Sequence, residues 1–175
     1  LQSANANSGT PLHGALTRAG KYYSSYAKGA SEDPWGTGNT LERPLACRAG
    51  YAILTTDGYW NSGSGFISDV GDADGNKVSY TLADVAMYYY KNDLRPDIND
   101  NVPADRTGRR NQRMTTFGVS IGLGGTLSGP PSAPPTSWPD PWPTSSGGYY
   151  WSTESARRID DLWHAAVNTE GAFVV

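Results

Sequence analysis

A chain of 175 residues with a 37% hydrophobic fraction can bury a core of its own as a single globular domain. Its formal net charge of −3 gives no electrostatic case for nucleic acid or an anionic membrane surface, and Arg106, Arg109, Arg110 and Arg113 form a group too small to reverse that, which reads as a solvated loop. No run of about 18 apolar residues is present to span a bilayer, and Leu1-Gln-Ser-Ala-Asn lacks the charged and apolar regions of a secretion signal.

The predicted elements begin with a helix over residues 11–27. Leu12, Ala15, Leu16, Ala19, Tyr22, Tyr23 and Tyr26 form one helical stripe, with Thr10 as N-cap and Pro11 at the first helical position. A loop rich in Gly, Pro, Ser and Asn then leads to a strand over 51–56, which lies between Gly50 and Gly58, is too short for a helix, and reads as interior to a sheet. Residues 58–80 read as a long polar loop. A second helix over 82–94 opens on a capping box, Thr81-Leu-Ala-Asp84, and is closed by Pro96. A second strand over 115–123 alternates Phe117, Val119, Ile121 and Leu123 with small residues. The stretch 124–152, rich in Gly, Pro and Ser and carrying Trp138, Trp142 and Trp151, reads as an insertion loop, and a third helix over 154–168 stops near Gly171. Helices alternating with buried-type strands indicate an α/β class with a parallel, doubly wound sheet, yet two strands are too few for one, so part of the sheet is expected to lie outside the chain.

Several residues could carry chemistry. Asp57 stands at the C-terminal end of the first strand, where open α/β sheets place ligands, although an aspartate before glycine also simply makes a turn. Asp69, Asp72 and Asp74 offer closely spaced oxygens of the kind Ca²⁺ loops use, but no glutamate follows at the position such a loop needs, and a plain acidic turn is the simpler reading. Gly118-Val-Ser120-Ile-Gly122 matches Gly-x-Ser-x-Gly, and Asp160 or Asp161 with His164 completes the chain order of a serine hydrolase. Ser120, however, lies inside a strand rather than on a strand-to-helix turn. His13 and His164 have no second ligand at metal spacing and read as packing or surface residues. Cys47 is the only cysteine, which excludes an internal disulfide and leaves a partner outside the chain as its route to one in a secreted protein. The low charged fraction of 18%, with abundant Gly, Pro, Trp and Tyr, fits a cell-surface protein better than a cytosolic enzyme.

Gly9-Thr10-Pro11-Leu12 opening a helix, followed by a strand ending Thr56-Asp57-Gly58, resembles the second half of a von Willebrand factor A domain. The resemblance implies a Rossmann-like fold and a metal-ion-dependent adhesion site in which Thr10 and Asp57 hold a hard cation, Mg²⁺ or Ca²⁺. The Asp-x-Ser-x-Ser loop of that family does not occur in the chain, so the site read from the sequence is incomplete and would need groups from outside it. Four longer phrases, Cys47-Arg-Ala-Gly-Tyr-Ala-Ile-Leu-Thr-Thr-Asp-Gly-Tyr-Trp-Asn61, Thr81-Leu-Ala-Asp-Val-Ala-Met-Tyr-Tyr-Tyr-Lys-Asn-Asp-Leu94, Thr116-Phe-Gly-Val-Ser-Ile-Gly-Leu123 and Ile159-Asp-Asp-Leu-Trp-His-Ala-Ala-Val-Asn168, resemble the PilY/PilC-type type IV pilus tip adhesins. That resemblance implies the later part of one partial von Willebrand A-like domain with long loop insertions, spanning 1–175 of a larger extracellular protein. It implies a role in pilus biogenesis, twitching motility, surface attachment and mechanosensing at the pilus tip, with minor pilins or a host or abiotic surface ligand as partners and no catalysis. The alternatives are a metal-free structural module that primes or caps the pilus through minor pilins and, more remotely, a hydrolase using Ser120.

Overall fold

The computed structural model describes residues 10–24, 32–36, 45–60, 81–127 and 156–175. Among them the element order is α1 (Leu12–Ser24), β1 (Gly50–Thr56), α2 (Leu82–Lys91), β2 (Met114–Ser120), α3 (Arg157–Asn168) and β3 (Phe173–Val174). The strands form a parallel sheet in the order β1-β2-β3, with Gly50 beside Met114 through Thr56 beside Ser120, and Gly118 beside Phe173. This mixed α/β arrangement is compatible with a Rossmann-like fold.

Strands wound in one direction through right-handed crossovers place their helices on one face. Accordingly α1, α2 and α3 lie side by side, and the described residues cover only one face of the sheet. The expected doubly wound sheet is thus one-sided here, because no described strand extends the order past β1. For the same reason β1, expected in the interior, is an edge strand. Leu54 and Thr56 face the helices, while Tyr51 and Ile53 are exposed.

The core lies between the helices and the inner sheet face, built from Leu12 and Leu16 of α1, Leu82, Val85 and Ala86 of α2, Leu54, Met114 and Phe173 of the sheet, and Ile159 and Leu162 of α3. Helix α3 is the central element. Residues 159–167 are all buried, because α3 packs on α2 as well as on β2 and β3.

The boundaries depart from the sequence expectations for local reasons. The Ala15 amide donates to the Pro11 carbonyl at 3.0 Å, which makes Pro11 rather than Thr10 the residue whose carbonyl opens α1. Residues 25–27, expected to continue α1, lie outside the described residues. Helix α2 forms the full Thr81–Asp84 capping box but ends at Lys91, before the expected 94, because Asn92 turns extended and caps the Tyr88 carbonyl through both its backbone amide and its side chain. Strand β2 stops at Ser120, short of 123, where the Ser120 hydroxyl donates to the Leu123 carbonyl at 2.7 Å and Gly122 takes a φ of 74°. Helix α3 begins at Arg157, and residues 154 and 155 lie outside the described region. Strand β3 was not expected. Its two residues are too few to show alternation.

Nor is the arginine group a solvated loop. Arg113 is buried, its Nη2 donating to the Pro103 carbonyl at 2.8 Å, and both Arg113 and Arg109 stack over the Tyr90 ring. Arg106 and Arg110 are the exposed members. Of the 124–152 insertion, residues 124–127 are described, and Trp138, Trp142 and Trp151 lie outside the described residues.

Candidate functional site

Helix α1 runs opposite to β1. Tyr23 near its C-terminal end bonds Tyr51 at the start of the strand, and His13 in its first turn packs against Trp60, just past the strand's end, with ring centroids 4.3 Å apart. Thr10 and Asp57 therefore lie at the same end of the sheet, the C-terminal end, where the helices of such a fold also begin. Thr10 is half-buried and Asp57 exposed. The turn carrying Asp57 is fixed by Thr56, whose hydroxyl donates to the Gly58 carbonyl at 2.6 Å and accepts from the Gly58 amide at 3.2 Å. Beneath it Trp60, 1% exposed, exchanges bonds with Arg158 at the head of α3, with Nε1 donating to the Arg158 carbonyl at 3.1 Å and Arg158 Nη1 to the Trp60 carbonyl at 2.7 Å. Sequence reasoning missed this floor of His13, Trp60 and Arg158. Partners as far apart in the chain as Trp60 and Arg158 leave no local pattern.

The remaining carboxylates at this end already serve the backbone. Asp161 accepts the Leu82 and Ala83 amides at 2.8 and 2.9 Å, holding the N-terminus of α2 against α3. Asp160 accepts the Thr126 and Leu127 amides and the Thr126 hydroxyl, fixing the segment after β2. Burial pushes His164 down to about 4, so the imidazole is neutral at pH 7. The Ser120 hydroxyl is committed to the Leu123 carbonyl. The Ser120, Asp160 or Asp161, His164 set is therefore not wired as a triad, and β2 runs into a turn rather than a helix. Packing accounts for the motif's glycines. A Cβ at Gly118 would sit 2.9 Å from Leu162 Cγ and Phe173 Cδ2, and Gly122 needs its positive φ.

Thr10 and Asp57 offer three side-chain oxygens from two residues, and among the described residues no group of three His, Cys, Asp or Glu side chains could hold a metal ion. These two residues do not make a cation site by themselves. Asp69, Asp72 and Asp74 lie outside the described residues. Cys47 is an exposed free thiol.

At the opposite end of the sheet a groove of ≈ 510 Å³ is lined by residues including Met87, Tyr90, Lys91, Arg106, Val167 and Glu170. Burial, reinforced by the neighbouring Glu170 carboxylate, pushes the Tyr90 hydroxyl up to about 12. Burial also opposes ionisation of Asp105, yet bonds from the Arg109 amide and guanidinium and from Thr107 hold its carboxyl well below the usual range. This end is a locked structural corner.

Comparison with known proteins supplies what the site geometry does not. The type IV pilus biogenesis factor PilY1 of Pseudomonas aeruginosa strains PAO1 and PAK is 32% identical to the chain over 213 aligned residues, and that of strain UCBPP-PA14 is 31% identical over 214, each match covering 99% of the chain. The chain is PilY1-like. It spans only 18% of the length of these relatives. No family model and no solved structure matches. Among the described residues, no helix of the PilY1-like chain is long and apolar enough to cross a membrane.

Proposed function

We propose that the chain is a binding module within a type IV pilus biogenesis factor, displayed outside the cell at the pilus tip or outer bacterial surface. The observation that carries this reading is the match to PilY1 relatives along 99% of the chain. The parallel sheet, with Thr10 and Asp57 at its C-terminal end, supports a von Willebrand A-like region whose loops there meet a partner. In its metal-dependent form Thr10 and Asp57 hold Mg²⁺ or Ca²⁺ together with ligands from outside the chain.

In a second form the same surface contacts minor pilins or other tip proteins without metal. Chromosomal Asp57→Ala separates the two. The adhesive form predicts normal piliation with surface attachment reduced about tenfold or more and a Mg²⁺ response lost from calorimetric titration of the complete protein, the loss of one cation-linked contact being worth at least 1.4 kcal/mol. The structural form predicts no cation response. Unchanged piliation, attachment and cation response together would exclude a role for Asp57 in either.

A further inference from the structure

The groove at the end of the sheet opposite Thr10 and Asp57 has an apolar floor and a cationic rim. Val167 is buried and Met87 half-buried on the floor, while Lys91 and Arg106 are exposed at the rim with Arg109 half-buried beside them. Among the described lining residues Lys91, Arg106 and Arg109 are positive and Glu170 is negative, a balance that runs against the chain's net charge of −3.

The negative groups of this corner are satisfied from within. Glu170 accepts the Arg106 amide at 2.8 Å and bonds the Tyr90 hydroxyl, and Asp105, behind the rim, accepts the Arg109 guanidinium at 2.7 Å. Helices α2 and α3 both end here, and bare helix C-termini would attract cations rather than anions. Their carbonyls are already capped. Arg109 Nη1 donates to the Lys91 carbonyl at 3.2 Å, the Asn92 amide to Tyr88, and the Gly171 and Glu170 amides to Ala166 and Val167. The Arg106 guanidinium, by contrast, makes no hydrogen bond or ion pair with any described residue, since Arg106 is held through its backbone amide alone.

The groove is also set in advance. The Tyr90 ring is held between the Arg109 and Arg113 guanidiniums, 5.1 and 5.6 Å from its centroid, and Arg113 is tied to the Pro103 carbonyl. A fixed wall lowers the ordering cost of binding, and a methionine on the floor adapts to whatever apolar group meets it. We propose that this groove docks an acidic segment of a partner protein, with a carboxylate on Arg106 and a neighbouring apolar side chain over Met87 and Val167. Its volume of ≈ 510 Å³ suits a few side chains of an extended peptide rather than a folded surface. Guanidinium-carboxylate bonds are charge-assisted and supply the orientation, whereas an anion without apolar groups would leave Met87 and Val167 uncovered. This second contact surface goes beyond the binding-module reading and depends on neither Asp57 nor a cation.

The test uses the complete protein in EDTA and fluorescence anisotropy of a labelled hexapeptide that alternates aspartate with leucine. Hexapeptides alternating lysine with leucine, and aspartate with serine, should bind about tenfold or more weakly than it does. Arg106→Glu should weaken binding of the aspartate-leucine peptide about tenfold or more, and Arg106→Ala by a smaller factor, because only the first adds repulsion. The Arg106 side chain is exposed, so both variants should keep the parent's urea midpoint. Arg110→Glu makes the same charge change at an exposed residue that does not line the groove, and should leave the affinity within about twofold. Failure of the aspartate-leucine peptide to bind overturns the proposal. Equal binding of the aspartate-serine peptide does so too, by marking a surface for any polyanion such as nucleic acid or anionic lipid, and equal loss in Arg110→Glu does so by marking a diffuse field. Because EDTA is present throughout, none of these results bears on the metal-dependent site.

Discussion

Glu170 occupies the position after α3 where glycine is favoured. Its φ is 58°, and the Glu170 and Gly171 amides return to the Val167 and Ala166 carbonyls in the two-bond pattern that ends many helices. A glutamate there is strained by about 1–2 kcal/mol relative to glycine. What offsets the strain is the side chain, whose Oε1 accepts the Arg106 amide at 2.8 Å and whose carboxylate neighbours Tyr90. We expect Glu170→Ala to lose about 1–2 kcal/mol in urea denaturation, since it keeps the strain and loses the bond, and Glu170→Gly to recover about 1 kcal/mol of it. A glycine variant no more stable than the alanine one would show the backbone to be unstrained. In both variants the tyrosine titrating near 12 should move down without reaching 10, because burial is the larger cause of its shift. His164 gives a second prediction at this scale. Its pKa is depressed from 6.5 to about 4 by burial, so the unfolded chain binds the extra proton between those values. Its contribution is therefore fully present above pH 6.5 and is lost as pH falls toward 4, by up to about 3 kcal/mol. In His164→Gln the fall of the urea midpoint between pH 7 and 4.5 should be shallower than in the parent. Parallel slopes would contradict the assignment.

Helices α2 and α3 are joined by one carboxylate as well as by their apolar faces. Both Asp161 oxygens take amides at the start of α2, with Thr81 and Asp84 boxing the same turn. Because the group is buried and ionised acceptors make the stronger hydrogen bonds, Asp161→Asn should cost about 2 kcal/mol and Asp161→Ala about 3 kcal/mol, read from chemical denaturation. The test also discriminates between roles, since a structural clamp is partly rescued by glutamate only if the helices can shift, whereas a triad member would affect labelling of Ser120 by a fluorophosphonate. No labelling is expected in the parent protein. What was legible in the sequence at this scale is what is local. The stripe of α1, the Thr81–Asp84 box and the apolar spacing of α3 each lie within a few residues of chain. In the sequence Asp161 is visible only as a candidate triad acid on a helix, and its clamp on α2 is not, because its partners stand 78 and 79 residues earlier. Ser120 between glycines matches a nucleophile motif that its place in a strand already argues against, Leu162 and Phe173 show why Gly118 is small, and β3 is hidden by its length.

At the scale of the molecule, the sequence of β1 and the place of β1 disagree, and the disagreement is informative. Tyr51-Ala-Ile-Leu reads as an interior strand, yet in this structure it is an edge with two large side chains in solvent. The site is affected in the same way. Thr10 and Asp57 stand at one end of the sheet, and among the described residues no group of three His, Cys, Asp or Glu side chains could hold a metal ion. If the open face is covered in the longer polypeptide, one substitution must have two different costs. In the 175-residue chain Ile53→Lys places an ammonium in water at a 69% exposed position, and should change stability by less than about 0.5 kcal/mol while reducing self-association in sedimentation. In the longer polypeptide the same lysine would have to enter an apolar contact, and should cost about 2 kcal/mol or more, or expel the covering segment and open a Phe117→Cys thiol to maleimide. Equal, small effects in both contexts would mean that the face is solvent-exposed in the working protein, and that the strip of Tyr51, Ile53 and Phe117 must then be accounted for as a surface for some other molecule.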